Sequence, residues 1–187
     1  MNNLIVTYLK ELEYVINNFS VDKFEEIINV IKDVYKQNKN IFVMGNGGSA
    51  STASHFACDI NKGVGQKLKK PIKVICLNDN IPTILAYAND LSFDDIFVEQ
   101  LKNVIEIGDL VIAISSSGYS KNILKAVNFA NNYGAITVGL TGRDGGQLAK
   151  ISKYSLIIKS HDTQKIEDLH MIITHILMQV LPNILNQ

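Results

Sequence analysis

The sequence lacks the features that mark secreted, membrane-spanning or nucleic-acid-binding proteins. Its two cysteines, Cys58 and Cys76, are too few for a disulfide framework or a cysteine zinc site, which is typical of a reducing compartment. The 18 basic and 18 acidic residues cancel, so net charge favours neither nucleic acid nor a membrane surface. The first residues do not resemble a signal peptide, and no apolar run approaches the ~20 residues of a membrane span. We therefore expect a soluble, cytoplasmic protein.

What the chain does contain is a series of short apolar segments separated by helical ones. With 187 residues, 47% of them hydrophobic, it can bury one sizeable core. Strands that are apolar throughout and alternate with helices are typical of a parallel sheet covered on both faces. The sequence therefore predicts a single doubly wound α/β domain over residues 1–187, without linker, repeat or low-complexity segment. Its five parallel strands are expected at residues 41–44, 71–78, 110–114, 136–140 and 154–159.

Helices are predicted to flank this sheet. Two amphipathic helices lie within residues 1–37, the second capped by Ser20, and their apolar faces must pack on the sheet or on another subunit. We assign this pair to oligomer formation. Shorter helices are expected at residues 49–62, 82–88, 94–104 and 121–133, the last stopped by Gly134. A long helix at residues 163–185 completes the pattern.

The central motif is a glycine turn between the first strand and its helix. Gly45–Gly48 follows the apolar run, and Ser49 has the chemistry of an N-cap. Backbone N–H groups and the positive end of the helix would converge there, which predicts an anion site. One turn further, His55 and Asp59 are four residues apart and share a helix face.

This turn also fits the dinucleotide pattern GxGxxG/A, but the rest of that motif is missing. An acidic residue is expected about 20 positions later, and Asp79 comes considerably later than that. We therefore expect no nucleotide cofactor. Alternatively, the glycines could be present only to allow a tight turn, without binding a ligand.

A second loop, after the third strand, carries four serines around Gly118. Serines can act as caps and turn formers, but one N-cap needs only one of them. Four hydroxyls beside a helix N-terminus suit a phosphate with several acceptor oxygens. No Walker lysine follows, so a phosphorylated small molecule is the favoured ligand. The serines are Ser115, Ser116, Ser117 and Ser120.

The last helix adds Glu167 and His175 on one stripe. Together with His55 and Asp59 they form two histidines and two carboxylates on two helices. From spacing alone this set fits an acid–base site, a metal site or a merely polar surface. His170 lies well round the cylinder and is expected to pack in the core or to support the site residues from behind. The glycine turn and the serine loop both follow strands and are therefore expected on the ligand side of the sheet, because ligands bind outside the carboxyl ends of parallel strands.

Four segments resemble one known family. GNGGSASTASHFACD, ISSSGYSKNILKA, LTGRDGG and KIEDLHMIITHIL are similar to the sugar isomerase (SIS) domain and, within it, to the phosphoheptose isomerases. The resemblance covers nearly the whole chain. It implies the SIS fold and conversion of D-sedoheptulose 7-phosphate to D-glycero-D-manno-heptose 7-phosphate, the entry step to bacterial surface heptose. It also implies a homotetramer and, as in some members, a zinc ion in each subunit.

The resemblance assigns residues by position. The sugar would contact Asn46, Gly47, Gly48, Asn89, Asp90 and Glu167. The phosphate would be held by Ser115, Ser116, Ser117 and Ser120. A metal ion would be bound by His55, Asp59, Glu167 and His175. The catalytic pair would be Asp59 as base and His175 as acid, the two roles that proton transfer beside a carbonyl requires.

Two of these positions depart from the family pattern, which has glutamate where this chain has Asp59 and glutamine where it has Glu167. Asp59 reaches about 1 Å less far, which matters for proton transfer. Two histidines with two carboxylates would hold a divalent cation at least as well as the usual set. Two alternatives therefore stay open: an isomerase of another sugar phosphate, and a non-catalytic SIS protein that binds a protein partner, as a replication-initiator-associating relative does.

A length argument predicts active sites shared between subunits. Glu167 and His175 are eight residues apart, so about 12 Å of straight helix separates their Cα atoms. A metal bond is only about 2 Å long. We therefore expect a site with His55 and Asp59 to take Glu167 and His175 from terminal helices of different subunits.

Overall fold

The computed structural model describes residues 2–187, and its centre is a five-stranded parallel sheet in the order β2-β1-β3-β4-β5. The fold class predicted from the sequence is confirmed. The strands are β1 Ile41–Met44, β2 Val74–Cys76, β3 Leu110–Ser115, β4 Ile136–Gly142 and β5 Tyr154–Ile158. The second strand is shorter than predicted, and it forms one edge of the sheet.

Eight α-helices surround the sheet within the described residues. They are α1 Asn2–Asn17, α2 Val21–Lys36, α3 Gly48–Cys58, α4 Ile81–Asp90, α5 Val98–Val104, α6 Lys121–Tyr133, α7 Gly146–Ile151 and α8 Thr163–Leu185. A π-helical segment, Asp59–Val64, and a 3₁₀ turn, Gly65–Lys67, continue α3. A second 3₁₀ turn, Phe93–Asp95, precedes α5.

Each strand divides its side chains between two cores, which explains why the strands are apolar throughout. In β1, Ile41 and Val43 face the core formed with α2, α3 and α8, whereas Phe42 and Met44 face the core formed with α5 and α6. Successive strand residues point to opposite faces. The sheet is therefore covered on both sides, as a parallel sheet requires.

One predicted helix cap is wrong, a second lacks its side-chain hydrogen bond, and one helix was not predicted. The N-cap of α3 is Gly47, with φ 56°, and Ser49 lies buried in the first turn of the helix. Ser20 does precede α2, but its side chain makes no capping hydrogen bond. The short helix α7 was not predicted, because it begins at Gly146 directly after Gly145, and two consecutive glycines indicate a loop.

The final helix α8 is long and apolar enough to cross a membrane by length and composition, so the statement that no apolar segment approaches that length needs correction. In the structure its apolar side packs against α2 and α3. The buried side chains include Leu169, Ile173, Leu177 and Leu181. Its apolar composition therefore has an explanation in the core.

Candidate active site

The site lies where β1 and β3 are neighbours and their following helices leave to opposite faces of the sheet. In doubly wound sheets a crevice opens at this point. Asn46, after β1, and Asn122, in the first turn of α6, exchange two side-chain hydrogen bonds of 2.9 Å. This reciprocal amide pair joins the glycine turn to the serine loop, and Asn122 was missed by the sequence analysis.

A cavity of about 210 Å³ opens between these two loops. Its lining contains all four serines of the second loop, together with residues of the glycine turn and of three further elements. The lining residues are Asn46, Ser49, Ile114, Ser115, Ser116, Ser117, Ser120, Arg143, Thr163 and Glu167. The cavity precedes the N-terminus of α6, so hydroxyl and backbone donors lie around one small volume.

Internal hydrogen bonds hold the serine loop in shape. Ser115 Oγ lies 3.3 Å from Ser120 Oγ and accepts a hydrogen bond from the backbone N–H of Gly118. Ser117 Oγ accepts one from the N–H of Tyr119. One proton of the Ser115–Ser120 pair joins these two hydroxyls, and the other hydroxyl of the pair and that of Ser117 can still donate. The loop is therefore organised before any ligand binds.

The third wall of the cavity is the loop after β4, which packs directly on the serine loop. The N–H of Gly142 donates to Ser116 O, and that of Leu148 donates to Gly118 O. Gly118 has φ 70°, and a Cβ there would collide with the carbonyl of Gly145. The glycines of this loop allow that close backbone approach.

Glu167 occupies the end of α3 where the sequence predicted an anion site. A Cβ on Gly48 would collide with the Glu167 carboxylate, so that carboxylate lies against the first residue of the helix. Negative charge is favourable there because the N-terminal N–H groups carry partial positive charge. The protein's own carboxylate thus fills this position, and the open cavity is the one at the serine loop.

His55, Asp59 and His175 form a second cluster further along α3 and α8. His55 Nε2 lies 3.2 Å from Asp59 Oδ2 and 3.1 Å from His175 Nε2. One ligand atom from each of the three residues lies within 4.8 Å of the others. Tetrahedral zinc with bonds of about 2 Å needs ligand atoms at comparable separations. The donor set therefore fits a three-ligand zinc site with one open position.

The family model for the SIS domain matches residues 7–142. This chain belongs to the SIS-domain family. The phosphoheptose isomerase of Geobacter metallireducens is 34% identical over 184 residues, which are 97% of each chain. That of Aquifex aeolicus is 33% identical over 156 residues, 83% of this chain and 81% of the relative.

The solved structures show the same family relationship. A phosphoheptose isomerase from Neisseria gonorrhoeae superposes with a TM-score of 0.90 at 25% identity, covering 97% of this SIS-domain chain and 98% of that one. The similarity extends over the two leading helices and the final helix. The family predicted from the four motifs is confirmed.

The SIS fold separates some residues that the sequence analysis had grouped. Asn89 and Asp90 are exposed at the end of α4, hydrogen-bonded to each other, and do not line the cavity of their own chain. Gly47 does not line it either, and the space beside its Cα is open. Glu167 lines the serine cavity and is not part of the three-residue cluster.

His175 lies in the cluster of its own chain. It contacts His55 of its own chain, although 120 residues separate the two in sequence. The length argument correctly separated Glu167 from His175 along the helix. His175 reaches the cluster from its own chain, because α8 packs directly against α3. The expectation that Glu167 of a different subunit completes the site stays a prediction.

Two other histidines lie outside the cluster. His170 is fully buried, its Nε2 donates to Thr141 O over 3.3 Å, and its Nδ1 has no partner among the described residues. Burial lowers the pKa of His170 to about 4, because a charged imidazole there would lose its hydration. Its burial is consistent with both roles predicted for it, packing in the core and support of the site residues. His161 lines a separate cavity beside α1.

Proposed function

We propose that this protein interconverts D-sedoheptulose 7-phosphate and D-glycero-D-manno-heptose 7-phosphate through an enediol(ate). The observation that carries the proposal is the distance between the serine cavity and the histidine cluster. From Ser49 to His55 the helix α3 advances about 9 Å, and from Glu167 to His175 α8 advances about 12 Å. An extended sugar phosphate has a comparable length, so its phosphate and its reacting carbons can occupy the two places together.

Asp59 and His175 would carry the proton transfers. The Asp59 carboxylate takes the proton from the carbon beside the carbonyl and returns it to the neighbouring carbon. His175 donates a proton to the developing oxyanion and recovers it as the product carbonyl forms. The serine loop fixes the register of the chain by holding the remote phosphate, so that binding energy there positions the reacting carbons.

We further propose that zinc binds at His55, Asp59 and His175. Bound there, the ion would polarise the substrate oxygens as a Lewis acid. Asp59 has two carboxylate oxygens and His175 has two ring nitrogens, so each residue could give one atom to the ion and use the other for proton transfer. In this arrangement Glu167 is no metal ligand of its own chain's cluster. Its position beside the cavity gives it contact with the bound sugar.

Exposed apolar side chains support a homo-oligomer, which we propose to be a tetramer. Helix α1 leaves Leu4, Ile5 and Leu9 exposed, and α4 has no buried residue although it includes Ile81 and Leu85. A second subunit covering α4 would bring Asn89 and Asp90 towards a neighbouring cavity. The active site would then be shared through α4.

The cysteines support a cytoplasmic location. Cys58 and Cys76 are both free, the first exposed and the second buried. Burial raises the pKa of the Cys76 thiol to about 12, which keeps it unreactive. An exposed free thiol such as Cys58 is typical of a reducing compartment.

The activity is tested by following both heptose phosphates by NMR, with and without added zinc. Asp59→Asn and His175→Ala should each lower kcat at least ~100-fold if they exchange the proton. Asp33→Asn, which removes an exposed carboxylate from α2, is the matched control and should retain full activity. Turnover near the wild-type rate in either site variant would remove that residue from its role.

Asp59 and Glu167 also favour a second candidate, an isomerase for a different sugar phosphate. The shorter base and the extra charge beside the cavity both change the contact with the sugar. A panel of pentose, hexose and heptose phosphates distinguishes the two. No turnover of any of them by a correctly assembled oligomer would support the non-catalytic, partner-binding alternative instead.

A further inference from the structure

Arg143 is the only arginine in the sequence, and its side chain lines the serine cavity. The cavity lining contains no lysine and no histidine. Arg143 is therefore the one cationic side chain on its wall. It lies in the LTGRDGG segment, to which the proposed mechanism gives no role.

The backbone of Arg143 adopts a left-handed conformation, with φ 57°. This is uncommon for a residue with a side chain. Among the described non-glycine residues only Asn38 shares it, and asparagine tolerates it well. Hydrogen bonds hold the conformation from both sides: the N–H of Arg143 donates to Ser160 O, and that of Gly142 donates to Ser116 O. The loop thus keeps an unfavourable backbone angle at a residue whose side chain reaches the cavity.

Most hydrogen-bond donors of the Arg143 guanidinium group have no partner among the described residues. Within residues 2–187 its hydrogen-bond partner is Thr163 Oγ1, at 3.4 Å, and no carboxylate lies within 4.0 Å of it. An arginine carries five N–H donors, and most of these are free. Lys165 differs, because it is paired with Glu11 and Asp162.

We propose that Arg143 is a specificity-determining residue that binds the phosphate group of the substrate and selects for a phosphate monoester dianion. The inference rests on the proposed function in placing that phosphate in the serine cavity. Hydroxyl and N–H donors are neutral and accept many oxyanions. A guanidinium adds a full charge and a planar fork that matches two phosphate oxygens. Phosphate monoesters carry about −1.5 to −2 charges at pH 7, so this charge discriminates in their favour.

The test compares Arg143→Gln, Arg143→Lys and Arg143→Gly with the control Lys121→Gln. Lys121 is exposed at the start of α6 and does not line the cavity, so the control removes the same charge nearby. Glycine accepts the left-handed backbone without strain, so Arg143→Gly folds even if the other variants do not. Calorimetry with inorganic phosphate measures binding directly, and steady-state kinetics give KM and kcat.

Arg143→Gln and Arg143→Gly should bind phosphate at least ~10-fold more weakly and raise KM by a similar factor, while kcat changes less than threefold. Arg143→Lys should recover part of the binding, since lysine keeps the charge and loses the fork. Lys121→Gln should bind phosphate as the wild type does. Wild-type phosphate affinity in Arg143→Gly, or an equal loss in Lys121→Gln, would overturn the proposal.

The outcome separates this inference from the proposed isomerase function. If the wild type turns over no heptose phosphate yet binds phosphate through Arg143, the function is wrong and the phosphate site stands. If the wild type is an active isomerase whose phosphate affinity does not depend on Arg143, the function stands and this inference fails.

Discussion

Gly48 and Glu167 are fitted to each other at the start of α3. The carboxylate lies where a Cβ on residue 48 would be, and it faces the positive end of the helix. The behaviour of Arg143 and His170 also depends on their surroundings. An unusual backbone angle directs the Arg143 side chain, and burial keeps His170 uncharged. In each case the neighbours that decide the residue's behaviour are distant in sequence.

Gly48→Ala should change stability by less than about 1 kcal/mol, because displacing the Glu167 carboxylate, the far end of a flexible side chain, offsets the gain in helix propensity. In the double variant Gly48→Ala/Glu167→Ala the collision is gone, and alanine should then be favoured by its helix propensity, worth up to about 1 kcal/mol. Urea unfolding of the four proteins in a double-mutant cycle measures the coupling. An equal effect of Gly48→Ala with and without the Glu167 side chain would contradict the contact.

His170 should make stability fall in weak acid. Its pKa is lowered to about 4 in the folded state, whereas an unfolded histidine titrates near 6.5. Between these values only the unfolded state takes up the proton, so stability is lost as pH falls from about 6.5 towards 4. The loss from this group is on the order of 3 kcal/mol. Urea unfolding at several pH values should show that His170→Gln loses less stability over this pH range than the wild type does. If the free energy of unfolding depends equally on pH in the two proteins, the assignment to His170 is wrong.

The elements follow their local sequence most closely where helix ends are marked by glycine. Helix α6 runs from Lys121 to Tyr133, and Gly134 ends it in the left-handed conformation with φ 91°. The end of helix α3, in contrast, does not follow its local sequence. Its sequence predicts one helix to Lys62, but it changes to a π-helical segment at Asp59, where it packs against α8. The π segment begins at the proposed base, and such segments often occur at functional sites.

Gly134→Ala should destabilise the protein by about 1 kcal/mol, because a residue with a Cβ is strained at this left-handed position. Gly134→Asn should lose less, since asparagine tolerates that conformation. Thermal unfolding of both variants gives the comparison. Equal stabilities of the alanine and asparagine variants would show that backbone strain is not the cause.

At the scale of the whole molecule, the two proposed parts of the site belong to one chain, while α4 presents Asn89 and Asp90 outwards. Mixing Asp59→Asn with His175→Ala subunits should therefore restore no activity, because each chain needs both residues in its own cluster. Mixing Asp59→Asn with Asp90→Asn should restore part of it, if Asp90 serves a neighbouring site. Activity after subunit exchange measures both. Recovery of activity in the first mixture would show that Asp59 and His175 of one active site come from different chains.

The sequence by itself determined the five strands, most helices and the chemistry of the serine loop. These depend on local properties: apolar strands of the right length, glycine stops and several hydroxyls in one short loop. The family followed from motifs that are equally local. The assignment of the sugar, phosphate and metal residues stays a prediction.

The tertiary structure alone decided which residues meet. It placed His175 beside His55, Glu167 against Gly48, and Arg143 on the wall of the serine cavity. It also separated Asn89 and Asp90 from that cavity. The physical reason is that helix packing and loop-to-loop contact set these distances, and both join segments far apart in the chain. Periodicity can place a residue on a helix face, but the neighbour on that face is chosen by the fold.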